Sequence, residues 1–182
     1  MVFDKYVDHA YKNATPAKDL KGMALAYEIA RHSPDPSTQV GVALVGCGSE
    51  VLGSNYPVLR LMDWGDLSDR NHKTAIMEHA ERDAIYHAAR HGIRLAGGHM
   101  IATWHSCIDC ARAIISAGIH TVTGHWDLFG YTPERWQDSI MIAHGLLKDS
   151  GVEIRWVAGA VPGANPIRFD GKVWCPRTLV LE

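Results

Sequence analysis

Residues 99–118 read HMIATWHSCIDCARAIISAG, an apolar run followed by two cysteines and an alanine-rich segment. The run HMIATW is typical of a buried strand, and the segment from Ile108 to Gly118 has the apolar spacing of a helix that ends at a glycine. Cys107 and Cys110 therefore lie where a strand leads into a helix N-terminus, a position that lowers thiol pKa values. The bare pair fits a redox CxxC, half of a structural zinc site, or part of an active site.

The alternation of strand and helix continues on both sides of this stretch. Helices are predicted over residues 17–32, 76–92 and 133–151. A β-hairpin over 39–55 and strands over 119–124 and 152–157 complete the pattern. This order predicts an α/β fold, a three-layer α/β/α sandwich with a mixed five-stranded sheet.

The length of 182 residues suits one domain, 1–182, with a core over about residues 17–157. A short N-terminal helix over 1–14 and a C-terminal tail over 158–182 are predicted as extensions. The tail is rich in Gly and Pro, and we expect it to wrap the surface.

Residues 57–75 have mixed polarity and no clean period, which predicts a long functional loop. Four of its side chains could meet a phosphate, although a solvated loop explains them equally well: Arg60, Arg70, His72 and Lys73.

The composition excludes several partners. The net charge of −2 and a pI near 6.6 give no strong basic field for a polynucleotide or an anionic membrane surface. No window approaches the apolar length of a membrane span, and the charged N-terminal region lacks the apolar core of a signal peptide. Four cysteines without a secretory signal indicate a reducing compartment, so we expect a cytoplasmic location.

A second helix N-terminus carries His79-Ala80-Glu81. If it faces the CxxC helix, one imidazole and two thiolates would surround one Zn²⁺ and leave its fourth position open, as in catalytic zinc sites. Glu81, which is not a ligand in this arrangement, would carry protons. The alternatives are a solvated Glu81 and a closed zinc site in which Cys47 or Cys175 is the fourth ligand.

The spaced pair H-A-E and C-x-x-C resembles the deoxycytidylate (dCMP) deaminase family of the cytidine-deaminase-like zinc deaminases. The resemblance also includes DPSTQVGVALV (35–45), GSN (53–55), HAERDAIYHAARHG (79–92) and CIDCARAIISAGI (107–119). It implies that His79, Cys107 and Cys110 bind zinc and that Glu81 moves protons. It also implies that Asn55 binds the sugar or nucleotide side of the substrate and that the Ala80 backbone meets the base carbonyl.

The chain departs from this family just before the first cysteine, where the family usually has an apolar or aromatic residue followed by Pro. Ser106 is predicted to cap the following helix and, like His105, to belong to the substrate-binding residues. His105 is predicted to line the pocket and to help select the substrate. Trp104 is predicted to be a strand residue beside the pocket, where it packs or stacks on a base.

The resemblance implies hydrolytic deamination of a dCMP-like nucleotide to the uridine nucleotide and ammonia. It also implies a homo-oligomer, between a dimer and a hexamer. Two alternatives stay open: a deaminase of another pyrimidine base, nucleoside or 5-modified nucleotide, and a non-catalytic zinc-stabilised binding module. A polynucleotide substrate is not expected, because the chain lacks a basic excess.

Overall fold

The computed structural model describes residues 16–46, 48–58 and 64–182. The elements follow in this order: α1 (Ala17–Ala30), β1 (Gly41–Gly46), β2 (Ser49–Ser54), β3 (Tyr56–Pro57), α2 (Arg70–Ile76), β4 (Met77–Glu78), α3 (Ala80–Arg90), β5 (His99–Ala102), α4 (Ile108–Ser116), β6 (Thr121–His125), α5 (Trp126–Phe129), α6 (Glu134–Asp149), β7 (Glu153–Val157), β8 (Ile167–Phe169), β9 (Lys172–Cys175) and β10 (Val180–Leu181). None of the helices in these residues has the length and apolar character that a membrane crossing requires.

The central sheet has five strands in the order β2-β1-β5-β6-β7. The β1–β2 hairpin is antiparallel and β1 also runs antiparallel to β5, whereas β5, β6 and β7 are mutually parallel. The predicted mixed five-stranded α/β sheet is therefore confirmed. The carboxyl ends of the parallel strands open at one edge, which is where α/β folds place their sites.

Two hydrophobic clusters cover the two faces of the sheet. Along β5, Met100 belongs to the cluster formed with α3, α4 and α6, whereas Ile101 belongs to the cluster formed with α1. This alternation follows from the two-residue period of a strand whose two faces are both buried. Helices therefore lie on both faces, as the sequence predicts.

Two glycines let helices touch the sheet backbone. A Cβ atom on Gly41 would lie 2.0 Å from the carbonyl oxygen of Ala26 in α1. A Cβ atom on Gly53 would lie 2.3 Å from the carbonyl oxygen of Ala80, in the first turn of α3. The position of the N-terminus of α3 over β2 therefore depends on the missing side chain at residue 53.

The region between β2 and α3 differs from the predicted loop over 57–75. Asp69 caps α2 by accepting hydrogen bonds from the N–H groups of Asn71 and His72. The last part of the predicted loop is therefore helical. Strands β3 and β4 pair antiparallel, so α3 begins at Ala80 instead of residue 76. The N-terminal helix predicted over 1–14, together with Cys47 and Arg60, lies outside the described residues.

The C-terminal tail is not a surface wrap, contrary to the prediction. Strands β8, β9 and β10 form an antiparallel sheet, and Ile167, Phe169 and Trp174 are buried against α1. Asp170 and Gly171 both adopt positive φ between β8 and β9, as a two-residue hairpin turn requires. The Asp-Gly pair between apolar alternating residues was the sequence signal for this hairpin. The single-domain organisation stays a prediction.

A buried polar chain ties this small sheet to α1 and β6. The Trp174 Nε1–H donates to the Tyr27 hydroxyl (2.9 Å), and that hydroxyl donates to His125 Nδ1 (2.6 Å) because His125 Nε2 donates to the Gly159 carbonyl (3.0 Å). His125 has no exposed surface. Burial lowers its pKa, although the Gly159 carbonyl and the Asp127 carboxylate oppose this change.

We expect this network to make the protein less stable in acid. The folded pKa of His125 is below its ordinary value of 6.5, so between the two values the unfolded chain binds a proton that the folded chain does not. The contribution of His125 to the free energy of unfolding is therefore complete above about pH 6.5 and declines as the pH falls. Urea unfolding at pH 8 and pH 5 measures it. The decline should be smaller in His125→Gln and unchanged in the control His32→Gln, which alters an exposed histidine.

Candidate metal centre and substrate cavity

Two helix N-termini bring together the residues of the two sequence motifs. His79 is the residue immediately before α3, and Cys107 is the residue immediately before α4, with Cys110 in the first turn of that helix. Both capping positions have extended backbones that point their side chains towards the gap between the helices. The helix ends face each other at the carboxyl edge of the sheet, as the sequence predicts.

The three donor atoms have the separations that one metal ion needs. His79 Nδ1 lies 3.5 Å from the Cys107 sulfur and 3.5 Å from the Cys110 sulfur, and all three atoms lie within 4.8 Å of one another. Ligands at tetrahedral zinc, with bonds of about 2.1 Å to nitrogen and 2.3 Å to sulfur, stand about 3.6 Å apart. One imidazole and two cysteine sulfurs are also ligand types that zinc prefers. The donor set therefore fits Zn²⁺.

The group is open on its fourth side. Among the residues that the structure describes, no further His, Cys, Asp or Glu joins the three donors. Cys175, one of the two candidates for a fourth ligand in a closed zinc site, lies at the end of β9 and is a free thiol outside the group. The closed site built on Cys175 is therefore wrong.

The two cysteines of the group differ in how readily they lose a proton. Hydrogen bonds from the Cys110 thiol and from His79 lower the pKa of Cys107 to about 3, although burial opposes them. The same Cys107 contact, together with burial, raises the pKa of Cys110 well above its ordinary value. Because a metal binds the thiolate form of cysteine, binding of a divalent cation would release the Cys110 proton.

Glu78 and Arg82 surround the donors with a charged pair. Glu78 Oε1 accepts a hydrogen bond from the backbone N–H of His79 (2.9 Å) and from Arg82 Nε (2.6 Å). Arg82 Nη1 lies 4.0 Å from the Cys110 sulfur. The carboxylate thus fixes the backbone of one donor, and the guanidinium places a positive charge beside another, where it compensates thiolate charge.

Glu81 borders one cavity together with two of the donors, His79 and Cys107. Glu81 lies in the first turn of α3 and is only 4% exposed, and Ala80, the first residue of that helix, is fully buried. The Ala80 N–H has no acceptor within its helix, as is usual in a first turn. A loop, two helices and the motif residues form the cavity lining: Asp35, Ser37, Thr38, Val40, Asn55, Arg70, Lys73, Thr74, Met77, His79, Ala80, Glu81, Trp104, His105, Cys107, Arg135, Trp136 and Ile140.

Asn55 lines the cavity, but its amide holds a loop in place. Its Oδ1 accepts from the Val40 N–H (2.7 Å), and its Nδ2 donates to the Thr38 carbonyl (2.8 Å) and towards Asp35 (3.3 Å). The predicted contact of Asn55 with the sugar stays a prediction, since each amide group already has a partner.

Asp35 is the centre of this loop, and no role was predicted for it from the sequence. Its Oδ1 accepts from the N–H groups of Ser37 (2.8 Å) and Thr38 (3.0 Å) and from Lys73 Nζ (2.9 Å). Asp35 is 5% exposed, and the ion pair with Lys73 ties α2 to the loop across the cavity. A carboxylate that follows a turn and accepts from the next two N–H groups is a recurrent Asx arrangement, so DPST contained the local signal.

His105 reaches the cavity wall, but both of its nitrogens are engaged. Nδ1 donates to the Ser106 carbonyl (3.2 Å), so Nε2 is free to accept from His144 Nδ1 (3.3 Å). Burial, together with the neighbouring His144, lowers the pKa of His105 to about 4. The ring also packs against Phe129 and Trp156. A ligand would have to break one of these hydrogen bonds, and the role of His105 in substrate selection stays a prediction.

The prediction that Ser106 caps α4 is wrong. Cys107 occupies the capping position, so Ser106 lies one residue too early for its oxygen to reach the helix N–H groups. The Ile108 N–H is instead within 3.3 Å of the Ser139 hydroxyl of α6. Ser106 Oγ is buried, and none of the described residues offers it a hydrogen bond.

Trp104 lies just beyond β5 in the cavity wall, close to the predicted place. Its Nε1–H donates to the Thr132 hydroxyl (3.0 Å), and its ring packs edge-on against Trp136. The Trp136 ring in turn meets the His79 ring at 6.0 Å. Trp136 was missed by sequence reasoning, because a tryptophan on a helix usually indicates core packing.

The cations around the cavity differ in how they are held. Lys73 is engaged by Asp35, and His72 lies outside the cavity lining, with its Nε2 on the Trp64 carbonyl (2.6 Å). Arg70 is exposed at the cavity. Arg135, in the first turn of α6, also lines the cavity and pairs with Asp170 of the β8–β9 turn. Arg135 was not predicted from the sequence.

This open His/Cys/Cys group between two helix N-termini, on a mixed five-stranded sheet, defines a cytidine-deaminase-like α/β protein. The family model described as the cytidine and deoxycytidylate deaminase zinc-binding region matches residues 16–125. The chain belongs to this family, which confirms the resemblance in its motifs. The match ends at the last residue of β6, so α5, α6, β7 and the C-terminal sheet lie beyond it.

Individual relatives agree with the family match. The deoxycytidylate deaminase of Mus musculus is 29% identical over 143 residues, which cover 73% of this chain and 75% of that protein. The ComE operon protein 2 of Bacillus subtilis is 30% identical over 108 residues, 55% of this chain and 54% of that protein.

A solved structure has the same fold. The dCMP deaminase of cyanophage S-TIM5, solved in complex with dCMP and dUMP, aligns with a TM-score of 0.60 and 21% identity. The alignment covers 80% of this chain and all of that one.

Proposed function

We propose that the protein is a zinc-dependent hydrolytic deaminase that converts a dCMP-like nucleotide to the uridine nucleotide and ammonia. The observation that carries the proposal is the open donor set of His79, Cys107 and Cys110 beside the buried carboxylate of Glu81. The relatives named deoxycytidylate deaminase support the choice of substrate class.

His79, Cys107 and Cys110 would hold the zinc ion. When bound, Zn²⁺ supplies a Lewis acid that lowers the pKa of water to about 7. Glu78 keeps the His79 backbone in place, and Arg82 offsets negative charge on the Cys110 sulfur. The chain therefore builds a donor set whose orientation does not depend on the substrate.

Glu81 would be the proton carrier. Glu81 borders the same cavity as His79 and Cys107 and is nearly closed to solvent. In hydrolytic deamination, a base removes a proton from the attacking water, and an acid protonates the pyrimidine ring and the leaving amine. One carboxylate in this position can perform both steps by carrying two protons in turn: it would pass the first water proton to the ring nitrogen, and then pass the second, taken from the hydroxyl added to the ring carbon, to the leaving amine.

The lining of the cavity offers aromatic rings for a base and a cation for an anion. Trp104 and Trp136 are flat aromatic rings on the side of His79 and can pack on a pyrimidine. Arg70 is an exposed cation at the lining that can meet a phosphate, whereas Lys73 is paired with Asp35 and Arg135 with Asp170. A cation at the lining supports a nucleotide over a free base.

The proposal is tested by ammonia release from cytosine, cytidine, deoxycytidine, dCMP, dCTP and a 5-substituted dCMP. We expect dCMP or its 5-substituted relative to exceed deoxycytidine in kcat/KM by roughly 10–100-fold, the effect of one or two hydrogen bonds to a charged group. Activity on the nucleoside or base alone would contradict the nucleotide assignment. A zinc-loaded protein that releases no ammonia from any of them would indicate a non-catalytic zinc module.

We also expect the protein to form a homo-oligomer, as the deaminase family does. Light scattering coupled to size-exclusion chromatography measures its mass, and a monomer at micromolar concentration would contradict this expectation.

A further inference from the structure

We infer that the β8–β9 hairpin, residues 167–175, is a positioning element of the substrate cavity. Its Phe169 holds in place the tryptophan wall, which consists of Trp104 and Trp136. The inference rests on the proposed function for the identity of the substrate, whereas the contacts of the hairpin with the cavity lining do not depend on that function. It concerns a segment beyond the family match, which ends at residue 125.

The first support is a continuous aromatic contact from the hairpin to the metal donors. Phe169 is 1% exposed, and its ring meets the Trp104 ring edge-on at 5.1 Å. Trp104 meets Trp136 at 6.0 Å, and Trp136 meets His79 at 6.0 Å. Trp104 and Trp136 both line the cavity, whereas Phe169 does not. Phe169 therefore acts on the cavity through the wall and not by touching a ligand.

The second support is backbone pairing between the hairpin and the loop that carries Asp35. The Gln39 N–H donates to the Arg168 carbonyl (2.9 Å), and the Arg168 N–H donates to Gln39 Oε1 (2.9 Å). The Gly171 N–H donates to the Ser37 carbonyl (2.9 Å). Strand β8 and the turn that follows it therefore lie alongside residues 37–39. Two of these residues, Ser37 and Thr38, line the cavity.

The third support comes from the turn of the hairpin. The Asp170 N–H donates to the Thr38 hydroxyl (3.2 Å), and the Asp170 carboxylate pairs with Arg135. One residue of the turn thus touches the loop wall and the cation on α6 together. An exposed ion pair adds little to stability, so we assign this contact an orienting role. The hairpin, which lies beyond the family match, thus contacts three parts of the cavity lining: the loop, Trp104 and Arg135.

The test compares Phe169→Leu with Trp174→Phe. The first removes the aromatic contact with Trp104 and keeps an apolar side chain in the core. The second is a control in the same small sheet: Trp174 is also fully buried, but its ring contacts are with His125 and Tyr131, away from the cavity. Should Phe169→Leu fail to fold, Phe169→Met removes the same ring and keeps more volume.

Two readouts separate the inference from the proposed function. In steady-state kinetics with dCMP, we expect Phe169→Leu to raise KM by roughly 2–10-fold with kcat nearly unchanged, because a wall that binds substrate and transition state alike is lost. Trp174→Phe should leave KM unchanged. Hydrogen exchange followed by mass spectrometry needs no turnover. It should show faster exchange in peptides covering residues 103–107 and 35–40 in Phe169→Leu only.

The outcomes are distinct. Equal changes in both variants, or no change in either readout for Phe169→Leu, would overturn the inference and leave the proposed function intact. Lack of turnover in the parent protein with the expected exchange pattern would overturn the function and leave the positioning role intact.

Discussion

Replacing Glu81 by Gln is expected to reduce ammonia release from dCMP by roughly 10²–10⁴-fold while zinc stays bound. Glutamine has nearly the same shape as glutamate but cannot accept and return a proton. The donor atoms of His79, Cys107 and Cys110 are untouched by the change, so zinc content measured by atomic emission should equal that of the parent. Ammonia release under saturating substrate measures the loss.

The control for this variant is Asp83→Asn, an isosteric change in the first turn of the same helix. Asp83 does not line the cavity, and its Oδ2 accepts from the Ser54 N–H (3.3 Å), a contact that an asparagine oxygen can keep. We expect Asp83→Asn to retain activity within a few-fold. If Glu81→Gln is as active as Asp83→Asn, the proton-carrier role of Glu81 is wrong.

Replacing Cys110 by Ser is expected to abolish stoichiometric zinc binding and, with it, activity. Cys110 is fully buried at the group, and serine offers a neutral hydroxyl where zinc requires a thiolate. Changes in outer-shell partners cost about 10–100-fold in metal affinity, and the loss of a direct ligand should exceed this. The melting temperature should also no longer rise with added zinc, because that rise reflects binding to the native state.

Cys175→Ser is the matched control, since Cys175 is a free thiol in the C-terminal sheet outside the donor group. It should keep both zinc and the zinc-dependent rise in melting temperature. If Cys110→Ser binds zinc as tightly as Cys175→Ser, the assigned donor set is wrong, whatever the activity of either protein.

The metal group could be predicted from the sequence because its geometry is local. His79 and Cys107 each come directly before a helix, and the helix pattern is readable from apolar spacing. Once two such N-termini meet at one sheet edge, the positions of the three donors at the helix ends are enough to bring their side chains together. The position of Glu81 follows from the same helix, two residues after the donor.

The walls of the cavity could not be predicted, because contacts far apart in sequence make them. The pairing of Gln39 with Arg168 and of Arg135 with Asp170 joins elements whose approach no local pattern specifies. The wrong prediction for Ser106 has the opposite cause. A serine before a helix pattern is a good capping residue in general, but a shift of one residue decides which side chain occupies the cap.

The contact between Gly53 and the first turn of α3 is made by backbone atoms, so it does not depend on the side chains that line the cavity. Backbone packing of α3 on β2 sets the position of His79, so the side chains of the loop, α2 and the hairpin can change without altering this packing. Under the proposed function, substitutions at Ser37, Arg70 or Arg135 would alter the cavity lining, and with it the substrate preference, while His79 keeps its place.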